Sequence, residues 1–237
     1  MIKRLLFDYG GTLDTSARHW SYIIHEGYTK SGIILSQEDF RKAYVYAEKK
    51  LAQNRYILPN DDFYSLLLKK VFIEMECLLA HNLWRPKSFD IQSRIANEIA
   101  LYCDNYARKQ TQASIKILNA LSKKSYRMIL VSNFYGNLNT VLKSYGMDHF
   151  FEMIVESAVV GIRKPSPDIY KFAAERAVVK PEECIVIGDS YKNDIIPATQ
   201  IGCKTIWFKG EEWEDREYNE TIPTHIITNL KEIVNLI

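Results

Sequence analysis

The first apolar run of the chain, Arg4 to Phe7, breaks at Asp8-Tyr9-Gly10-Gly11-Thr12, and no second strand signal appears before Met128. A fully apolar strand is buried on both faces and needs neighbours, so this one must wait for partners supplied far down the chain. The stretch between, from about Ser16 to Arg108, carries helical periodicity instead. Ser36-Gln37-Glu38-Asp39 is an acidic helix start ahead of Phe40, Tyr44 and Ala47. Asn60-Asp61-Asp62 opens a run with Phe63, Leu66, Leu67, Val71 and Leu78 at helical spacing, and Ser88 precedes Ile91, Ile95, Ile99, Tyr102 and Tyr106. The pattern predicts a bundle of about four helices.

The remainder alternates. Met128–Val131, Met153–Val155, Cys184–Ile187, Lys204–Phe208 and His225–Ile227 are short apolar or β-branched runs. Helical patterns at Ile115–Leu121, Leu138–Tyr145, Pro167–Ala177 and Ile195–Ile201 separate them. Such alternation implies an α/β fold, a parallel sheet with helices on both faces. The helical block is then an insertion: residues 1–15 and 110–237 form the sheet domain and residues 16–109 the inserted one. Linkers are expected near Thr15–Ser16 and Arg108–Thr111, with relative motion between the two parts.

Composition narrows the function classes. Of 237 residues, 47% are apolar and 25% charged, which excludes disorder as the main state. A net charge of +2 with interleaved signs gives no basic face for nucleic acid or anionic lipid, and no apolar run approaches a bilayer span. Cys77, Cys103, Cys184 and Cys203 lack metal or redox spacing and sit in apolar stretches, as reduced buried thiols of a cytoplasmic protein would.

In open parallel sheets, reactive groups collect at the carboxyl ends of strands. Asp8 follows the first strand, Ser132 and Asn133 the second, and Gly188, Asp189, Ser190 and Asp194 a later one; Lys164 precedes a helix in Arg163-Lys164-Pro165-Ser166-Pro167. Alone, each reads as a turn former or a solvated side chain. Together, three carboxylates, a hydroxyl and an ammonium can hold a divalent cation and a phosphoryl group at once. Magnesium favours one or two carboxylates plus substrate oxygens, and an ionised carboxylate needs no base to attack phosphorus.

With these residues assembled, the chain resembles the haloacid dehalogenase superfamily of aspartate-nucleophile hydrolases. Asp8-Tyr9-Gly10-Gly11-Thr12-Leu13 is similar to its first motif, Val131-Ser132-Asn133 to its second, Lys164-Pro165-Ser166-Pro167-Asp168-Ile169-Tyr170 to its third, and Gly188-Asp189-Ser190-Tyr191-Lys192-Asn193-Asp194 to its fourth. The resemblance implies a Rossmann-like core, a mobile helical cap and a small phosphorylated substrate. It implies Asp8 as nucleophile with Ser132 and Lys164 as catalytic partners, and Gly11, Thr12 and Asn133 at the substrate. Mg2+ would be held by Asp8, the Gly10 carbonyl, Asp189 and Asp194.

One position departs. Family phosphatases carry a second aspartate two residues after the nucleophile, as general acid and base; here that position is Gly10. Losing such a group costs typically ~10²–10⁴-fold, felt most with poor leaving groups. Family dehalogenases place an aromatic residue there and use no metal. Family phosphonate hydrolases place a small residue there and use a cap lysine, for which Lys49 and Lys50 are the candidates. His19 and His25 are candidates for a replacement acid. A phosphate-binding protein without turnover is the non-enzymatic alternative.

Overall fold

The computed structural model describes residues 2–211, 213 and 217–237. Six strands, β1 (Arg4–Phe7), β2 (Arg127–Ser132), β3 (Phe151–Glu156), β4 (Cys184–Gly188), β5 (Lys204–Phe208) and β6 (His225–Ile227), form one sheet. Their order is β3-β2-β1-β4-β5-β6 and every pairing is parallel. Both faces are covered, which is the α/β arrangement expected. Leu5 and Phe7 pack with Leu130 and Ile187 on one face, together with the inserted helices. Leu6 packs with Ile129, Val131 and Val186 on the other, against Ile169, Tyr170 and Ala173. Burying each such Leu or Phe stabilises the fold by about 1.5–3 kcal/mol, and period-two alternation distributes them over the two faces.

Between β1 and β2 lie four helices: α1 (Trp20–Lys30), α2 (Gln37–Gln53), α3 (Phe63–Ala80) and α4 (Phe89–Lys123). Ser36, Asp62 and Ser88 cap the last three, each side chain accepting from a backbone N–H three residues on. The core helices α5 (Leu138–Ser144), α6 (Ser157–Val160), α7 (Asp168–Arg176), α8 (Ile196–Gln200) and α9 (Ile233–Leu236) connect or follow the later strands.

The second expected linker is not a linker. Arg108–Thr111 lies within α4, one continuous helix of 35 residues, about 52 Å long at 1.5 Å per residue. No Gly or Pro falls between Phe89 and Lys123, and Asp104 pairs with Arg108 one turn on. The buried stripe also runs through the junction as Ala107, Thr111 and Ser114. The Ser114 hydroxyl donates to the Leu13 carbonyl at 2.7 Å, tying α4 to the loop after β1. The insert is therefore joined to the sheet by a loop at its start and by a continuous helix at its end.

On α3 the apolar stripe contains two charged residues, Lys70 and Glu74, 4% and 0% exposed. Neither Glu74 carboxyl oxygen has a hydrogen-bond partner among the described residues, and burial raises this group from 4.5 to about 7 despite the Lys70 ammonium nearby. A carboxyl raised by folding favours the fold at low pH and loses that advantage as pH climbs through the folded value. The stability of Glu74→Gln relative to wild type should thus increase by about 3 kcal/mol between pH 4.5 and pH 8. Urea unfolding of both proteins across that range checks this, and a difference independent of pH would refute it.

Candidate active site

The sheet order reverses at β1. The chain passes from β1 to β2 and β3 on one side, then crosses to β4 on the other, leaving a crevice beyond the carboxyl ends of β1 and β4. Asp8 stands at the end of β1, its backbone N–H donating to the Ile187 carbonyl of β4 at 2.9 Å. Asp189 follows β4 directly. Asp194 lies one turn on, within a wide helical turn (Tyr191–Ile195) leading into α8.

Lys164 joins these elements. Its ammonium Nζ donates to Asp8 Oδ1 at 2.6 Å and to Asp194 Oδ1 at 2.7 Å, with the lysine side chain 2% exposed. Tyr170 on α7 donates to the same Asp194 oxygen at 2.8 Å. The backbone of Lys164 is clasped by Asn133 after β2: Lys164 N donates to Asn133 Oδ1 at 2.9 Å, and Asn133 Nδ2 donates to the Lys164 carbonyl at 3.0 Å. Across the crevice the Thr12 hydroxyl donates to Asp189 Oδ1 at 2.8 Å and accepts from Asp189 N at 3.0 Å. Asp8, Thr12, Lys164, Asp189 and Asp194 thus meet at one point, with Asn133 behind the lysine. Ser132 is buried at the end of β2, and Gly10 lies on the wall of the adjoining cavity.

Two glycines make the approach possible. Gly11 has φ +96°, and a Cβ there would sit 2.3 Å from Asp189 Oδ2. A Cβ on Gly188 would sit 2.4 Å from the Asp194 carboxyl carbon. The loop conformation is held from below by Asp14, which accepts from Gly11 N at 2.7 Å and from Trp20 Nε1 at 3.0 Å. Burial raises the Asp14 carboxyl to about 7.

The electrostatics show a site short of positive charge. Oxygens of Asp8, Asp189 and Asp194 lie within 4.8 Å of one another. Burial, opposed by Lys164 but reinforced by Asp194, raises Asp8 to about 6. Burial, Asp8 and Asp194 push Asp189 well above the usual carboxylate range. The Lys164 ammonium resists its own burial because Asp194 and Asp8 hold it charged. One ammonium cannot balance three carboxylates in a buried crevice, so the donor set fits a divalent cation bound by oxygen ligands.

Asp189 also lines a cavity of about 250 Å³, walled on the sheet side by Gly10, Asn133 and Asp189 and on the insert side by His19, Glu48 and Lys70. His19 is the one replacement-acid candidate that reaches it. Its Nδ1 accepts from Ser21 N at 3.2 Å, and burial lowers the ring to about 4, so it is neutral at neutral pH. His25 stacks on Phe40 at 4.7 Å and bonds the Leu35 carbonyl, away from this cavity. Lys50 pairs with Glu76 and lies over Tyr46 on the outer surface, and Lys49 is not part of the cavity wall either. The sequence reading gave no role to Asp14, Tyr170, Glu48, Lys70 or Tyr135. For Lys70 a signal existed: it occupies a position of the α3 stripe where an apolar residue is expected.

Residues 2–202 match the family model described as haloacid dehalogenase-like hydrolase. A glyceraldehyde 3-phosphate phosphatase of Pyrococcus furiosus is 39% identical over 93 residues, 38% of each chain. The haloacid dehalogenase-like hydrolase domain-containing protein 3 of Mus musculus is 30% identical over 118 residues, 49% of this chain and 47% of that one. The matched segments thus span less than half the length of either relative. Among solved structures, a dehalogenase in an intermediate complex superposes with a TM-score of 0.67 at 16% identity, covering 100% of this chain and 97% of the other. The magnesium-bound HAD-hydrolase YfnB of Bacillus subtilis gives 0.61 at 16% identity, covering 99% and 98%. At that identity the superpositions speak to the fold, while the family match runs from before β1 to beyond Asp194 and takes in every residue of the crevice. The chain belongs to the haloacid dehalogenase-like hydrolases.

Proposed function

We propose that this protein is a magnesium-dependent phosphatase of a small phosphorylated metabolite, acting through an aspartyl-phosphate on Asp8. The observation that carries the reading is the meeting of Asp8, Asp189 and Asp194, two of them on the Lys164 ammonium, beside a cavity that Asp189 lines. The phosphatase names of relatives support the substrate class. Residues 16–109 act as a cap over the crevice, and residues 1–15 with 110–237 form the catalytic core. The four cysteines are buried and free, which fits a cytoplasmic protein, and no described helix is long and apolar enough to cross a membrane.

Asp8, Asp189 and the Gly10 carbonyl would hold magnesium, with Asp194 in support; the ion supplies charge neutralisation for the phosphoryl oxygens. An Asp8 carboxylate oxygen attacks phosphorus, and the bond from phosphorus to the leaving oxygen breaks on the far side. Lys164 keeps Asp8 aligned for that attack, and with the Ser132 hydroxyl it faces the charge gathering on the phosphoryl group. Gly11 and Thr12 shape the loop beside the phosphoryl group, and Asn133 fixes Lys164. Water then attacks the acyl phosphate and returns Asp8 as a carboxylate. The Asp189/Asp194 pair and the absence of an aromatic side chain at Gly10 weigh against metal-free dehalogenation.

Two outcomes are expected. Asp8→Asn should lower turnover of phosphate esters and acyl phosphates by about a thousandfold or more while the variant still binds phosphate weakly. Mass spectrometry after acid quench should find the phosphoryl group on Asp8 in wild type only; turnover by the variant equal to wild type would refute the covalent route. Magnesium should raise the melting temperature of wild type but not of Asp189→Ala, since binding to the folded state alone stabilises it. Full activity in excess chelator would reopen the dehalogenase reading.

A further inference from the structure

We propose that Lys70, carried on α3, is the proton donor and acceptor of this site, standing in for the acid missing at Gly10, with Glu48 and Tyr135 as its positioning residues. The inference rests on the phosphatase reading above. In an in-line displacement the leaving oxygen departs on the side of phosphorus opposite the nucleophile. With Asp8 on the sheet, that oxygen points at the insert, so Lys164, bonded to Asp8 and Asp194 on the nucleophile's side, cannot serve it.

Lys70 is a buried ammonium on the insert wall of the cavity that Gly10 lines on the sheet side. Its Nζ donates to Glu48 Oε1 and sits 4.0 Å from the Tyr44 ring centroid. Glu48 in turn accepts from Tyr135 OH, 3.2 Å from both carboxyl oxygens. That bond fastens the pair to the loop after β2. Apart from its chain neighbours Tyr9 and Gly11, no described residue comes within 4 Å of the place a Cβ would take on Gly10, so the space there is open.

The other ionisable groups on the cavity wall are less suited to give the leaving oxygen a proton. His19 is neutral, Arg163 does not release its proton in proteins, and Glu48 is a carboxylate held below its usual range, Lys70 outweighing its burial. Asp189 is assigned to the cation, the Tyr135 hydroxyl already donates to Glu48, and Tyr44 presents its ring face to the Lys70 ammonium. Burial would lower Lys70, but Glu48 outweighs it and keeps the ammonium charged. An alkoxide is more basic than that amine and takes its proton.

The step balances. Asp8 forms a bond to phosphorus, the phosphorus–alkoxide bond breaks, and the alkoxide takes a proton from Nζ, giving an alcohol, an aspartyl-phosphate and a neutral amine. Water then bonds to phosphorus and its proton passes to the amine. The bond from phosphorus to Asp8 breaks, and phosphate leaves.

The test compares alkyl phosphates with p-nitrophenyl phosphate, whose leaving group needs little proton help. Lys70→Met should lose about a hundredfold in kcat/KM on alkyl phosphates and less than about tenfold on the aryl ester. Lys70→Arg should behave as Lys70→Met, because guanidinium keeps its proton. Gly10→Asp should restore alkyl turnover to Lys70→Met by at least about tenfold. Equal losses on both substrates, or alkyl activity retained by Lys70→Arg, would overturn the proposal. So would a phosphonoaldehyde fixed to Lys70 by borohydride, since the amine would then be a nucleophile. Should neither lysine variant fold, wild type decides: a shallow dependence of kcat/KM on leaving-group pKa supports the donor. A steep dependence, or a hundredfold gain from Gly10→Asp alone, overturns it. A wild type inert towards every phosphate ester would instead bring down the phosphatase reading itself.

Discussion

The Lys164 ammonium, shared between Asp8 and Asp194, is the interaction on which the crevice depends. Three strand-end carboxylates converge where water is largely excluded, and each raises the cost of ionising the others. Removing one partner from a buried ion pair typically costs 3–5 kcal/mol, roughly, because the other charge stays behind unpaired. Here two would stay behind. The surrounding polar contacts are arranged accordingly. Asn133 fixes the lysine backbone, Tyr170 takes a share of Asp194, and Ser190 N donates to the other Asp194 oxygen at 3.1 Å. These bonds bring together the segments following β2, β3 and β4, so with Asp8 the site is stitched from the carboxyl ends of four adjacent strands.

Close packing of charge needs a backbone without side chains at two points. Gly11 and Gly188 let carboxylates approach to distances that any Cβ would forbid. Gly10 is different. Nothing described crowds its Cβ position, so its lack of a side chain is not required by packing. A carboxylate there would be a further negative charge beside Asp8, Asp189 and Asp194, whose balance already falls short by more than one ammonium can supply. Glycine at this position leaves the charge deficit smaller and the cavity larger.

Much of this was legible in the sequence. The strands could be read because both faces of the sheet are buried, which leaves apolar runs ending abruptly in polar residues. Asp8, Asp189, Asp194 and Lys164 could be read because strand ends in such a sheet share one edge. What escaped lies on the insert. Lys69 and Lys70 are adjacent and look alike in sequence, yet a rotation of about 100° per residue sends Lys69 outward to Asp61 and Lys70 inward to Glu48. Glu48, Lys49 and Lys50 divide in the same way, and the residue facing the cavity is the glutamate. A doublet of lysines reads as a solvated face until its place in the apolar stripe is counted: Lys70 and Glu74 stand in register with Leu66, Leu67, Val71 and Leu78. The continuity of α4 is hidden for the opposite reason. A change of domain suggested a break, while local composition, free of Gly and Pro, favoured one helix throughout.

A donor on the insert differs in kind from one on the loop after β1. An aspartate two residues from Asp8 would be present however the insert sits. Lys70 is in place only while α2 and α3 rest on the core. That contact combines apolar packing of Phe63 on Phe134 and Tyr145 with three polar bonds: Tyr135 to Glu48, Asn137 Nδ2 to the Asp61 carbonyl at 2.9 Å, and the Thr140 hydroxyl to the Pro59 carbonyl at 2.7 Å. These bonds join the loop after β2 and α5 to α2 and the turn before α3. The continuous helix α4 joins the two parts elsewhere. With the donor on the insert, protonation of the leaving group depends on α2 and α3 being seated on the core, and a crevice without that contact would hold a nucleophile but no acid.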